Sequence, residues 1–332
     1  MTGARGARAL FLVALMLAGA PAAAEEIRVG LLKTAASGQV FIAAARGYFR
    51  DEGLDVSLVP FDQAQPIAVA VMTGDLDIGV SPLSAGFYSL AAEGDLRLVA
   101  GAARDRASYR TLGYLASNRA FAAGLKSPRD LAGHSLAIVQ VGAPGQYALG
   151  RLAEKYGFDV KSVRLVPLYS SPNIVSALAG NEVDAGMLAG APGIAAIDRG
   201  AATLLGWSGD ETPWQVGAVF AATVTTDGRE DMLRRFLAAY LHAARDYFAA
   251  FSAPDGSRRD GPTAPQVADI IAKYTGEPAP EIIHSAGFID PEGRIDAADI
   301  LHQIAWYTAQ HLLKHEVDGA ALLSWPYLRM SQ

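Results

Sequence analysis

Two glycine-rich stretches place hydroxyl and small side chains where a strand would run into a helix. The first, GDLDIGVSPLSAG, spans 74–86, and the second, GNEVDAGMLAGAPG, spans 180–193. In the first stretch Ser81, Pro82 and Ser84 are the residue types of a helix N-terminus, namely hydroxyl caps and a first-turn proline. Free backbone N–H groups at such a junction bind anions. The pattern predicts two similar α/β units with anion-binding junctions; the alternative is two ordinary turns whose hydroxyls only cap helices.

Arginine side chains follow one of the predicted strands, near the point where the chain would leave the first unit. A guanidinium of Arg104 or Arg106 at a cleft could clamp an anion in bidentate fashion. The alternative is a solvated surface loop in which these arginines pair with Asp105. Arg104 is therefore predicted either to contact the ligand or to lie in a solvated surface loop.

Four aromatic residues lie near predicted strand ends: Tyr114, Tyr169, Trp207 and Trp214. Aromatic rings in a cleft would stack on a planar ligand, whereas rings packed between two lobes would only fill space. If two of these rings face the cleft, we predict an aromatic acid as the ligand.

His311 and His315 have the i, i+4 spacing of a paired metal site on a predicted helix. Lys314 lies beside the pair, and the intervening residues do not make an HExxH motif. We predict an exposed helix face and no metal. No GxSxG, P-loop or GxGxxG motif occurs in a convincing context, so we predict no catalytic residues and no cofactor.

Composition narrows the class of protein. The 332 residues are 51% hydrophobic and 19% charged, with a formal net charge of −6 and no cysteine. Such a chain folds into a proper core and is a poor nucleic-acid binder. Residues 1–24 combine a basic start, a short apolar run and a small-residue site, which predicts a cleaved signal peptide. Without a cysteine to carry lipid, we expect a periplasmic protein and not a lipoprotein. We also expect a monomer.

Alternating apolar runs of strand length and helix length predict two α/β units with mostly parallel sheets covered by helices on both faces. We expect the first lobe at 25–114, the second at 115–218, and a return to the first lobe over 219–332. The return begins as an extended segment at 215–225, and its helices pack back on the first unit. Two crossings, near Tyr114 and Val219, would form a hinge beside a cleft.

Three segments carry a resemblance to a known family. They are AARGYFRDEGLDVSLVPF at 44–61, MTGDLDIGVSPLSA at 72–85 and LKSPRDLAGHSLAI at 125–138. In order and spacing they resemble the periplasmic solute-binding proteins of the nitrate, sulfonate, taurine and thiamine-precursor transporter group. The resemblance implies a type II periplasmic-binding-protein fold, with two Rossmann-like lobes joined by a two-segment hinge. It also implies closure on one small ligand and delivery to an ABC-type permease in the inner membrane.

The resemblance places the ligand between the lobes, against loops that follow strand ends. The residues of those loops predicted to contact it are Ser37, Gly38, Gln39, Ser81, Pro82, Ser84, Gly142, Ala143, Gly145, Gln146, Ala189 and Pro192. Arg104, Tyr114 and Trp214 complete the predicted set. The loop from Gly142 to Gln146 is apolar and roomy, which fits a larger organic acid better than nitrate.

The predicted function is capture of a small organic anion, an aromatic or aliphatic carboxylate or sulfonate, by lobe closure. One alternative is binding of a thiamine pyrimidine precursor, or an enzyme of the same fold acting on it. Such an enzyme would need a cofactor-carrying lysine and clustered histidines, but the six histidines lie mostly in the C-terminal part. Another alternative is a sensor that reports ligand to a separate membrane protein.

Overall fold

The computed structural model describes residues 24–331, so the predicted signal peptide lies outside the described part except for its last residue. Within it the strands are β1 (Glu25–Leu32), β2 (Leu54–Phe61), β3 (Ile78–Pro82), β4 (Leu96–Gly101), β5 (Ala103–Asp105), β6 (Leu112–Ala116), β7 (Ser135–Ile138), β8 (Arg164–Pro167), β9 (Ala185–Ala189), β10 (Thr203–Trp207), β11 (Trp214–Gln215), β12 (Gly217–Ala222) and β13 (Phe288–Ile289).

The α-helices are α1 (Gly38–Arg46), α2 (Tyr48–Asp51), α3 (Ala64–Met72), α4 (Ala85–Ala91), α5 (Asn118–Ala122), α6 (Pro144–Tyr156), α7 (Ser171–Ala179), α8 (Gly190–Asp198), α9 (Ser208–Glu211), α10 (Thr223–Gly228), α11 (Glu230–Phe251), α12 (Ala264–Thr275), α13 (Ala279–Ser285), α14 (Ala297–Ala309) and α15 (Gly319–Leu322). Single 3₁₀ turns lie at Ala35–Ser37, Pro128–Asp130 and Val160–Ser162.

Two five-stranded sheets have the same topology. The first has the order β2-β1-β3-β12-β4, and the second, read from its other edge, has the order β8-β7-β9-β6-β10. In each sheet one strand runs antiparallel to both of its neighbours, β12 in the first and β6 in the second. These are the strands that the chain enters after each crossing between lobes. The prediction of two similar, mostly parallel α/β units is confirmed.

An aspartate marks the equivalent position in both units. Asp77 accepts the backbone N–H of Arg28 at 2.7 Å, which ties the entrance of β3 to β1. Asp184 accepts the backbone N–H of Ser135 at 2.9 Å and its hydroxyl at 2.8 Å, which ties the entrance of β9 to β7. The sequence echo between 74–86 and 180–193 therefore reflects the same local construction.

The core extends on both faces of each sheet. Helices α1, α11 and α12 cover one face of the first sheet, where Phe41 and Phe236 belong to one buried cluster. A Cβ on Gly38 would lie 2.8 Å from Ile271 and 3.0 Å from Tyr247, so only glycine lets α1 approach α11 and α12 this closely. A second cluster runs through α3, α4, α6 and α14 and so joins the two lobes.

The C-terminal helices differ from the prediction, which packed all of them on the first lobe. Helices α11 and α12 do lie on α1, but α13 contacts α8 and α14 contacts α6 in the second lobe. The ring of Trp306 reaches α6 at a position where only the hydrogen of Gly150 leaves room. The C-terminal region therefore touches both lobes.

Several element boundaries also differ. The segment that carries Arg104 and Arg106 is not only a surface loop but contains β5, because its backbone pairs with both β11 and β13. The return segment is strand only to Ala222, after which α10 begins. The lobe boundaries predicted at residues 114 and 218 fall inside β6 and β12, because both crossings occur slightly earlier, at β5 and β11. No helix among residues 24–331 is both long and apolar enough to cross a lipid bilayer.

Candidate functional site

A cavity of about 940 Å³ lies between the lobes at the carboxyl ends of their parallel strands. The first lobe lines it with Leu32 at the end of β1, with 62–66 after β2, and with 84–86 at the start of α4. The second lobe contributes 138–146, which connects β7 to α6, together with Ala189 at the end of β9. Crevices at strand carboxyl ends are where open α/β sheets bind ligands, so this cavity is the candidate site.

Of the two serines predicted as helix caps at the junction after β3, only Ser84 is one. The side chain of Ser84 caps α4, since its Oγ accepts the backbone N–H of Phe87 at 3.2 Å. Ser81 and Pro82 are the last two residues of β3, because their backbone pairs with β12. The Ser81 hydroxyl is buried and donates to the carbonyl oxygen of Pro82 at 3.1 Å. Of the two serines, Ser84 reaches the cavity.

In the second lobe, the loop from 139 to 146 corresponds to the junction between β3 and α4 of the first lobe. Gly142 has a φ of +78°, a left-handed conformation that glycine adopts without strain. Its N–H donates to Oε1 of Gln146 at 2.7 Å, and its carbonyl oxygen accepts the N–H of Ala85 at 3.0 Å. Pro144 begins α6, with the fixed φ that suits a first helical turn. The loop thus presents its backbone to the first lobe.

The cavity wall is mainly aliphatic. Leu90 lies on the first lobe, and Leu112, Val139, Val141 and Met187 lie on the second. Val141 remains 53% exposed, so its apolar surface is available to a ligand in the cavity. None of the residues that line the cavity in the described part of the chain is Phe, Tyr or Trp. The wall therefore suits an alkyl group better than a stacked ring.

Seven residues of the predicted site line the cavity: Pro82, Ser84, Gly142, Ala143, Gly145, Gln146 and Ala189. Ser37 and Ser81 line a much smaller recess of about 20 Å³ that shares Leu32 and Pro82 with the cavity. The Ser37 hydroxyl donates to the carbonyl oxygen of Leu32 at 2.9 Å and so stabilises the turn before α1.

The other predicted residues lie outside the cavity lining. Gly38 and Gln39 face the first lobe's core, where Nε2 of Gln39 donates to the Tyr240 hydroxyl at 2.8 Å. Arg104 pairs with Asp296 at 2.9 Å, so its guanidinium is already engaged. Pro192 lies within the first turn of α8.

The predicted aromatic contacts are also elsewhere. Tyr114 is fully buried in β6, and Trp214 packs edge-on against Tyr147 in the interior. Tyr169 and Trp207 do not line the cavity either. The condition set for an aromatic acid, two of these rings facing the cleft, is therefore not met.

The C-terminal segment after α14 supplies lining residues that the sequence did not indicate. Leu312, Lys314 and His315 line the cavity. The helix predicted to carry His311 and His315 one turn apart ends earlier, at Ala309, and His311 has a φ of +56°. The two histidines are therefore not on one helix face. Residues 24–331 contain no group of three or more His, Cys, Asp and Glu side chains placed to hold a metal ion.

A family model described as NMT1/THI5 like matches residues 35–252 of the chain. The chain belongs to this family. The match begins at the turn before α1 and ends just after α11, so it includes both strand-to-helix junctions and the loop from 139 to 146. No curated protein sequence matches the chain.

Solved structures with the same fold are known. The periplasmic aliphatic sulphonate binding protein SsuA from Escherichia coli is 19% identical with a TM-score of 0.73, over 93% of this chain and 94% of that one. The alkanesulfonate-binding protein SsuA from Xanthomonas axonopodis pv. citri, bound to MOPS, is 19% identical with a TM-score of 0.66, over 90% and 97%. The periplasmic nitrate-binding protein NrtA from Synechocystis PCC 6803 is 12% identical with a TM-score of 0.63, over 90% and 85%. These likenesses confirm the predicted periplasmic-binding-protein fold.

In this NMT1/THI5-like chain the two crossings pair with each other as strands. Asp105 in β5 lies opposite Trp214 in β11, and β13 extends the same small sheet. The Asp105 carboxylate is buried and accepts hydrogen bonds from Thr111, Ser208 and Nε1 of Trp214. Burial raises the pKa of Asp105 to about 6, although the three hydrogen bonds oppose the shift.

A second buried carboxylate joins the hinge to the second lobe. Asp299 on α14 accepts the Tyr147 hydroxyl at 2.6 Å, the Arg151 guanidinium at 2.8 Å and the backbone N–H of Gln215 at 2.8 Å. Nε2 of Gln303 also donates to it at 2.9 Å. Burial, reinforced by the Asp299 charge, raises the pKa of Tyr147 well above its usual range. We call α6, α14 and β11 together the seam.

Proposed function

We propose that the protein is the substrate-binding component of an ABC importer in the periplasm. It captures a small organic anion, a carboxylate or sulfonate, in the interlobe cavity and presents it to a permease in the inner membrane. The observation that carries this proposal is the cavity of about 940 Å³ between two lobes that are joined by the paired strands β5 and β11. Ligand contacts made by both lobes at once favour the closed arrangement, and the permease reads that shape.

The size and lining of the cavity select among ligand classes. A volume of about 940 Å³ is far larger than a nitrate ion needs and lies in the range of sites for organic molecules. The aliphatic wall around Leu112, Val141 and Met187 favours an alkyl chain over an aromatic ring. Two of the similar structures bear the names of sulfonate-binding proteins, which agrees with a sulfonate or carboxylate head group on an alkyl body.

A binding screen tests the proposed ligand class. The mature protein is titrated by calorimetry and thermal shift with alkanesulfonates, alkanoates, aromatic acids, nitrate and pyrimidines, in Tris buffer that contains no sulfonate. A ligand at a hundredfold its dissociation constant should stabilise the fold by about 2.7 kcal/mol. We expect the largest shifts from alkyl anions. Binding confined to a pyrimidine would support the thiamine-precursor alternative and overturn the organic-anion proposal.

A matched pair of variants locates the binding in the cavity. A Cβ on Gly145 would already lie in van der Waals contact, 3.5 Å from Cε of Met187 and 3.8 Å from Leu112, so the larger side chain of Gly145→Leu would occupy space in the cavity. Gly228→Leu is the control, because a Cβ there has nothing within 4 Å. We expect Gly145→Leu to abolish the ligand-induced shift and Gly228→Leu to retain it. Equal loss or equal retention would place the ligand elsewhere.

Export to the periplasm and cooperation with an ABC permease can be tested separately. Osmotic shock of expressing cells should release the protein, and its N-terminal sequence should start near Glu25 if the segment 1–24 is removed on export. Uptake of the labelled ligand into cells should require both this chain and an ABC permease. Retention of the protein in spheroplasts, or unchanged uptake without it, would contradict the importer role.

A further inference from the structure

The chain that follows α14 is directed to the cavity by a defined helix end. The N–H of His311 donates to the carbonyl oxygen of Thr308, and that of Leu312 to Tyr307, both at 2.9 Å. With His311 in the left-handed conformation, this is the Schellman pattern of helix termination. The reversal brings Leu312, Lys314 and His315 to the cavity wall.

Buried hydrogen bonds hold α14, and with it this segment, against both lobes. Oε1 of Gln303 accepts the hydroxyl of Tyr88 on α4 at 3.0 Å, and its Nε2 donates to the carbonyl oxygen of Gln215 at 2.7 Å. Asp299 meets Tyr147 of the second lobe on the same helix. The segment after α14 is therefore placed relative to both halves of the cavity.

The charges of the cavity lining are few and unevenly placed. Asp62 and Glu93 lie on the first lobe, and Lys314 and His315 lie on the C-terminal segment. Among the lining residues in the described part of the chain, these two are the only basic ones, and no arginine is present. Lys314 and His315 are exposed, and neither forms an ion pair with another side chain among residues 24–331.

We propose that Lys314 and His315 bind the anionic group of the ligand, so that the C-terminal segment supplies the charge recognition that the two lobes lack. This rests on the proposed function and names the part of the site that selects for negative charge. The ammonium of Lys314 and a ring N–H of His315 act as donors, and a charge-assisted hydrogen bond is about twice as strong as a neutral one. Asp62 and Glu93 on the first lobe repel an anion, which leaves the C-terminal side as the place for the head group.

The test compares charged and neutral probes of the same length. Hexane-1-sulfonate and hexan-1-ol are titrated into the wild type and into the double variant Lys314→Gln/His315→Gln. We expect the double variant to bind the sulfonate at least about tenfold more weakly, the size of one lost charge-assisted contact, and to bind the alcohol as the wild type does. His311→Asn is the control, because this imidazole lies in the same segment but outside the lining, and Asn tolerates the left-handed conformation.

The other outcomes separate the two proposals. Unchanged sulfonate affinity in the double variant would overturn the role of Lys314 and His315 and leave the organic-anion site standing. An equal loss for the alcohol, or an equal loss in His311→Asn, would also overturn it, because the effect would then be structural. Failure of the wild type to bind the sulfonate at millimolar concentration, with the alcohol bound, would overturn both this inference and the proposed anionic ligand.

Discussion

The backbone N–H of Ala85 donates to the carbonyl oxygen of Gly142 at 3.0 Å, and this hydrogen bond joins the two lobes at the cavity wall. Ala85 begins α4 of the first lobe, and Gly142 precedes α6 of the second. A single backbone hydrogen bond thus connects the N-terminal ends of two helices from different lobes. Such a contact is made only when the lobes lie close together, so it stabilises the closed arrangement.

Gly142→Ala should weaken ligand binding. The new Cβ would lie 3.1 Å from that of Ala85, and a φ of +78° strains an alanine by about 1–2 kcal/mol. The control is Gly133→Ala, which has a similar φ of +83° but nothing within 4 Å of the added Cβ. We expect the dissociation constant, measured by calorimetry, to rise several-fold for Gly142→Ala and to change little for Gly133→Ala. The same constant in both variants would show that the contact does not contribute to closure.

Asp299→Asn should destabilise the seam. The carboxylate accepts hydrogen bonds from Tyr147, Arg151, Gln215 and Gln303, whereas an asparagine has one acceptor oxygen and turns its amide toward these donors. We expect the free energy of unfolding to fall by about 2–4 kcal/mol, as for a broken buried network. Urea denaturation measures the change.

The control for this substitution is a surface ion pair. Asp227 pairs with Arg97, and its side chain is 64% exposed. Removal of such a charge alters stability by about 0–1 kcal/mol. Asp227→Asn should therefore leave the urea midpoint nearly unchanged, and an effect as large as that of Asp299→Asn would mean that burial of the network does not matter.

Gly150→Ala should separate α14 from α6. A methyl group at this position overlaps Cε2 and Nε1 of Trp306, and relief of the overlap costs about 1–3 kcal/mol. On the same helix, Gly145→Ala meets its nearest neighbour at 3.5 Å and gains helix propensity of up to about 1 kcal/mol. Thermal unfolding should therefore shift in opposite directions for the two variants, and equal shifts would argue against tight packing at Trp306.

Asp105 should make the free energy of unfolding depend on pH. Its pKa is about 6 in the folded protein against 3.8 in the unfolded chain, so between about pH 4 and 6 the unfolded state binds fewer protons. The free energy of unfolding therefore falls as pH rises through this range, by about 3 kcal/mol in all, and is then constant. Asp105→Asn removes this contribution. Urea titrations across the range test it, and parallel curves for wild type and variant would contradict it.

The sequence predicted the architecture because local signals specify it. Each of these signals can be recognised within a few residues of sequence. They are the short apolar runs, glycine turns such as Gly74 with its φ of +78°, and the repeated aspartates Asp77 and Asp184. The N-cap at Ser84 was predicted together with one at Ser81, and only pairing with β12, which lies more than a hundred residues later, assigns Ser81 to the strand. Long-range pairing of this kind has no local signature.

The site was predicted less completely, for the same reason. Loops that follow strand ends were identified from sequence, and several of their residues do line the cavity. The positions of Arg104 and Trp214 depend on Asp296 and Asp105, which approach them only in the folded chain. Lys314 and His315 reach the cavity because α14 ends at Ala309, before the positions at which the predicted helix would have carried His311 and His315.

The tryptophans give the protein an intrinsic optical reporter of motion. None of the four, at positions 207, 214, 306 and 325, lines the cavity, while Trp214 and Trp306 lie in the seam with 2% and 7% of their surface exposed. A ligand bound in the cavity does not touch Trp214 or Trp306. A change in the fluorescence of Trp214 and Trp306 on titration therefore reports rearrangement at the seam, and its time course in a stopped-flow instrument would give the rate of closure without an attached dye.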